Sequence, residues 1–117
     1  MTVKQLSGLL DARILAEGRM DREISCGLCC DVLSMAMAKG RSGAAWLTVQ
    51  ANMNALAVAV MTDAACLIFP EGAFPDEAVV QRARTEGVAL LSAQVSGFEA
   101  AGRLYAAGLR GEDGKQA

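Results

Sequence analysis

The stretch Ser25-Cys26-Gly27-Leu28-Cys29-Cys30 gathers three of the chain's four cysteines into a C-x-x-C-C run, with Cys66 standing farther along. Thiols at that spacing have three uses open to them: metal or iron-sulfur ligation, disulfide exchange, or the filling of space. A structural zinc or iron-sulfur site usually takes four Cys or His ligands, and the chain has no histidine, so Cys66 would have to join the other three. Cys26 and Cys29 fall in a segment that reads as a strand, where successive side chains alternate faces, so their thiols point apart. A redox C-x-x-C opens a helix whose N-terminus lowers the thiol pKa, and only Cys29 and Cys30 lie near such a start. Cysteine is also among the most frequently buried residues and behaves as a small hydrophobe, and space filling is the reading adopted for the run. No metal and no cofactor is expected.

Other constellations offer less. Without histidine the usual general base and nucleophile-activating partner is missing, and no G-x-S-x-G occurs. Asp11, Asp21, Asp63, Asp76 and Glu77 read as turn and helix-cap residues rather than as paired catalytic carboxylates. The closing Gly111-Glu112-Asp113-Gly114-Lys115 resembles a P-loop only superficially. That motif needs Gly where Leu109 stands and Ser or Thr where Gln116 stands, after a strand. Met35 and Met37 read as core filler. An enzyme is not expected.

The elements that must position any site follow from patterning. The 117 residues are 53% hydrophobic, 4% aromatic and 21% charged, which fits one domain with a core of small and aliphatic side chains. With a net charge of -2 and 11 scattered basic residues, the chain has no basic patch of the kind that binds nucleic acid. Met1 to Leu6 shows no secretory pattern, and Ala55 to Met61, the longest apolar stretch, falls far short of the roughly 20 residues of a membrane span. A cytoplasmic location with reduced thiols is expected.

Thr2 caps a first helix bearing Leu6, Leu9 and Leu10, followed by a weak strand over Ala12 to Ala16. From Glu23 onward strand and helix alternate four times. The strands are Glu23 to Cys29, Trp46 to Val49, Ala65 to Phe69 and Val88 to Leu91. The helices start at Asp31, near Asn54, at Asp76 and at Ser96. This order predicts an α/β fold, a mostly parallel sheet with helices on both faces and right-handed crossovers. The segment Asn54 to Met61 is apolar all round, which predicts a helix covered on both sides, by its sheet and by another subunit. One domain over 1–109 and a frayed tail over 110–117 complete the expectation.

In such a sheet ligands gather beyond the carboxyl ends of the strands, here at Asp31, Gln50 to Asn54, Pro70 to Ala73 and Ser92 to Gly97. Asn52, Asn54, Gly72, Ser92 and Ser96 are the candidate ligand-binding residues, able to hold a small anion at helix N-termini. The same asparagines and serines serve equally as helix caps.

Four pieces of the chain carry a family resemblance: Asp21-Arg22-Glu23-Ile24, Asp31 to Ser34 (D-x-L-S), Gly87 to Ser92 (G-V-x-L-L-S) and Phe98 to Ala101 (F-E-A-A). In that order and spacing, over about Thr2 to Leu109, the chain resembles the DRTGG domain. The resemblance implies a fold similar to the N-terminal domain of HPr kinase/phosphorylase and a regulatory or interaction role without catalysis. It also implies a context near iron-hydrogenase or other redox-enzyme subunits. The signature loops depart from the family: Gln50-Ala51-Asn52 stands where many members carry G-D-R, and Pro70-Glu71-Gly72 where they carry T-G-G.

Three functions follow as expectations. The first is a regulatory or assembly module that self-associates, most simply as a homodimer. The second is a sensor of a small anionic ligand, such as a nucleotide, at the strand ends. The third, least favoured, is a metal or redox protein built on Cys26, Cys29, Cys30 and Cys66.

Overall fold

The computed structural model of the protein describes residues 1–112. Thr2 opens α1 (Val3–Leu9) with a capping box, in which the Gln5 amide donates to its hydroxyl and its own amide donates to the Gln5 side chain. There follow β1 (Arg13–Ala16), β2 (Cys26–Cys29), α2 (Leu33–Lys39), β3 (Ala44–Leu47) and α3 (Met53–Met61). β4 (Cys66–Phe69), α4 (Glu77–Glu86), β5 (Ala89–Ser92) and α5 (Gly97–Ala106) complete the alternation. Asn52, Asp76 and Ser96 cap α3, α4 and α5 through side-chain oxygens.

The strands form one sheet in the order β1-β5-β4-β3-β2, with β2 to β5 parallel and β1 antiparallel to β5. The fold is mixed α/β, as the alternation predicts. Since β2 to β5 are laid down in one direction, three right-handed crossovers put α2, α3 and α4 on the same face. Their Ala36, Leu56, Ala59, Val80 and Ala83 pack there on Trp46, Leu67 and Leu90. The other face carries α1 and α5, with Leu6, Leu10, Ala100 and Leu104 on Leu47, Ile68 and Leu91. Burial on both faces is why β3, β4 and β5 read as unbroken apolar runs. Among the described residues no buried side-chain nitrogen or oxygen lacks a hydrogen bond, and no helix is long and apolar enough to cross a membrane.

Three expectations change. The strand expected over Glu23 to Cys29 shortens to Cys26–Cys29, because Glu23 pairs instead with Thr2 in an isolated bridge and Ile24 donates to the Met1 carbonyl. Asp31 does not start α2, whose N-cap is Val32 without a side-chain cap bond; its carboxylate is drawn to Thr48 and Val49. Finally, the expected frayed tail is paired where it is described. Gly27 donates to the Arg110 carbonyl at 2.8 Å and bridges Gly111 in parallel, so the segment covers part of the β2 edge. Residues 113–117 of that tail lie outside the described residues.

At the amino ends of the strands Arg22 makes a two-pronged bond to Asp63, at 3.1 Å to Oδ1 and 2.9 Å to Oδ2, while Ser42 donates to Oδ2 at 2.6 Å. This clamp ties the segment before β2 to the α3-β4 turn, where Asp63 holds a left-handed backbone at φ 58°. Hydrogen bonds from Arg22 and Ser42 hold the Asp63 carboxyl below its ordinary value.

Candidate functional site

A doubly wound sheet leaves a crevice where neighbouring crossovers depart to opposite faces. Here that point lies between β4, whose chain leaves toward α4, and β5, whose chain leaves toward α5. The two loops are stitched together across it. Glu71 donates to the Val95 carbonyl at 2.8 Å, Gly72 to the Ala93 carbonyl at 2.9 Å, and the Ser92 hydroxyl to the Ala73 carbonyl at 2.9 Å. Gly72 takes φ 70°, a left-handed conformation that favours glycine, with the end of the Gln94 side chain close by. The crevice that would take a phosphate in a dinucleotide fold is filled by the chain's own backbone.

An open cleft of about 550 Å³ lies beside it instead, toward β2 and β3 on the α5 side. Leu47, Thr48 and Pro70 form its buried part, and Val49 and Phe98 its exposed part, Phe98 at 92%. Two carboxylates line it, and no Lys or Arg does. Asp31 Oδ1 accepts from the Thr48 hydroxyl at 2.8 Å and from the Val49 amide at 3.0 Å. Glu71 Oε2 accepts from the Gly97 amide at 3.0 Å and so places a negative charge at the N-terminus of α5. A second hollow of about 220 Å³ continues from the cleft beneath α5, sharing Cys29, Leu47 and Ala101 and closed by Leu109 to Gly111.

The five residues predicted from sequence take different places. Asn52 is spent on α3: its Oδ1 accepts from the Ala55 amide at 2.9 Å, and its Nδ2 donates to Gln50 at 3.0 Å. Ser96 accepts from the Glu99 amide at 3.1 Å as the cap of α5. Gly72 and Ser92 come together in the stitched crevice, and Asn54 stands exposed on α3. None of the five lines the cleft, although Asp31, Pro70, Glu71 and Gly97, which do, belong to segments picked for the strand ends. Thr48 and Phe98 are missed altogether. Thr48 lies just past β3, which ends at Leu47, two residues before the predicted end at Val49, and a Phe at a helix start reads from sequence as core.

The thiols divide. In the register Cys26 pairs with Ala44 and Cys29 with Leu47, an odd number of residues apart, so the C-x-x-C side chains face opposite sides of the sheet as expected. Cys26 and Cys66 are buried and fill space, and half-buried Cys30 packs against the core beneath α2 to α4, so the packing reading fails only for exposed Cys29. β2 is the sheet's edge, and the α5 face opens there. Burial pushes the Cys66 thiol up to about 12. Burial first, then the Asp31 and Cys30 charges, raise Cys29. Neither is the depressed thiol that exchange chemistry uses. Among the described residues no three His, Cys, Asp or Glu side chains gather to hold a metal ion, and all four thiols are free.

No family model matches the chain, and no curated protein matches it in sequence. Among solved structures it is similar to the CBS and DRTGG domains of the regulatory region of Clostridium perfringens pyrophosphatase, solved with the activator diadenosine tetraphosphate. The TM-score is 0.74 at 11% identity, over 88% of this chain and 45% of that one. The likeness is one of fold, and it supports a DRTGG-like architecture; the chain spans under half the length of that neighbour.

Proposed function

We propose that the chain is a non-catalytic regulatory or assembly module that self-associates through α3. The observation that carries this reading is the outward side of α3, where Met53, Ala57, Val60 and Met61 are exposed, Met61 at 69%, on a helix without a charged residue. Water favours covering such a surface, and Ala57 lets a symmetry-related helix approach closely. The non-catalytic reading rests on Asn52, Ser92 and Ser96, which are committed to caps and turns, and on the Cys29 and Cys66 thiols, which burial raises above their ordinary value. A regulatory role is in keeping with the fold shared with a pyrophosphatase regulatory region. The sequence resemblance adds an iron-hydrogenase or other redox-enzyme system as the complex such a module would serve.

The test is the solution mass of Ala57→Glu. A carboxylate at the centre of the contact should dissociate the oligomer to the 12.2 kDa monomer while the far-ultraviolet circular dichroism is unchanged. An oligomer that survives the substitution removes α3 as the interface.

A second reading, a small-ligand sensor, is favoured by the open cleft and by the activator bound to the structural neighbour. In that cleft a nucleotide would turn its base, with amino groups that donate to carboxylates, toward Asp31 and Glu71 and keep its phosphates in solvent. Melting temperatures that rise with adenine nucleotide concentration by mass action support it, and flat ones at millimolar ligand end it.

A further inference from the structure

We propose that the cleft at the carboxyl ends of β2 and β3, with the edge of β2 beside it, docks an extended segment of a partner protein that carries an apolar side chain and a Lys or Arg two residues later. The edge already accepts such a segment from the chain itself. Gly27 donates to Arg110 at 2.8 Å and bridges Gly111 in parallel, while Leu109 lies over Gly27, where a Cβ would come within 3.2 Å of it. Past that point no described residue pairs with the edge. The Cys30 amide donates inward to Leu47, so the alternation of a parallel ladder turns the Cys29 amide and carbonyl outward, and they have no partner among the described residues.

Shape and charge specify the occupant. The cleft and the hollow beneath α5 form one apolar trough over Cys29 and Leu47, with Phe98 at its lip exposed to 92% and Val49 to 46%. The fold makes no use of an aromatic ring so placed. The carboxylates lining the cleft are those of Asp31 and Glu71, and one oxygen of each takes no hydrogen bond among the described residues. Charge complementarity calls for a cation. Side chains two apart on an extended segment share a side, so an apolar residue over Cys29 and Leu47 puts the next one at Asp31. This is β-strand addition with a trough for specificity. It uses the face opposite α3, so it stands or falls separately from self-association.

Display selection of random hexapeptides on the intact chain tests it, with the Asp31→Asn/Glu71→Gln double variant as counter-target. Asn and Gln keep the acceptor oxygens that Thr48, Val49 and Gly97 use, so the charge is removed and the bonds stay. Enriched peptides are expected to share an apolar-x-Lys/Arg pattern and to bind the double variant about ten-fold more weakly. They should lose affinity likewise for Phe98→Ser, whose melting temperature stays at the wild-type value because the side chain is exposed. No enrichment over the counter-target, or enrichment without a basic residue, overturns the proposal. A reduced oligomer mass in Phe98→Ser overturns it in favour of a contact between copies. Displacement of the peptides by adenine nucleotides overturns it in favour of the sensor.

Discussion

Cys66 is wholly buried between β3 and β5 and carries the largest consequence of any single side chain for pH. Its folded-state pKa stands above the ordinary 9.0, at about 12, so its contribution to stability is complete below pH 9 and is lost as pH climbs toward 12. The loss is on the order of 4 kcal/mol, enough to unfold a marginal domain. Denaturant titrations in that window should show Cys66→Ala with a flatter pH dependence than wild type, and parallel slopes would contradict the assignment. Asp63 works in the opposite sense. Its carboxyl is held low by Arg22, so the clamp acts above the ordinary 3.8 and weakens as pH falls through the lowered value. Because Asp63 is largely exposed, Asp63→Asn is expected to cost no more than about 1 kcal/mol at neutral pH and nothing in strong acid. Thiol titration offers a third check. Cys29 and Cys30 should react in the native protein, and Cys26 and Cys66 only after unfolding.

At the scale of elements, Asn52 separates a cap from a ligand. Asn52→Ala should lower stability by about 1 kcal/mol through loss of the bond from the Ala55 amide, with the folded structure unchanged. A stable variant with an altered ligand response would instead return Asn52 to the binding role first expected of it. The strand-helix alternation was legible from Glu23 onward because each apolar run is short, and each helix from α3 to α5 opens on Asn, Asp or Ser. Asp31 misled for the same reason: an acidic residue before an apolar segment has the look of a cap, and only the fold brings Thr48 and Val49 to its carboxylate. The strand-end location of the cleft was legible, since it follows from parallel topology. Its residues were not, because hydrogen bonds between the β4-α4 and β5-α5 loops decide which polar groups are used up, and those loops are far apart in sequence.

Taken whole, the molecule has two unlike faces and two sheet edges, each of them partly covered. β1 ends the sheet on one side with an irregular register around Leu15, whose carbonyl receives Arg84 at 3.4 Å, an arrangement that blunts strand pairing. On the other side the guard is the short Arg110–Gly111 segment, steadied by the Arg110 guanidinium 3.8 Å over the Tyr105 ring. A chain ended at Ala107 should therefore form species heavier than a dimer as concentration rises, whereas the full chain should stop at the dimer. The α3 side with exposed Met53, Val60 and Met61 is the surface proposed above for self-association. Sedimentation equilibrium of the intact chain over a hundred-fold range of concentration addresses that claim most directly. A mass of twice 12.2 kDa that falls toward the monomer on dilution is the expected result, and a monomer at every concentration would contradict it.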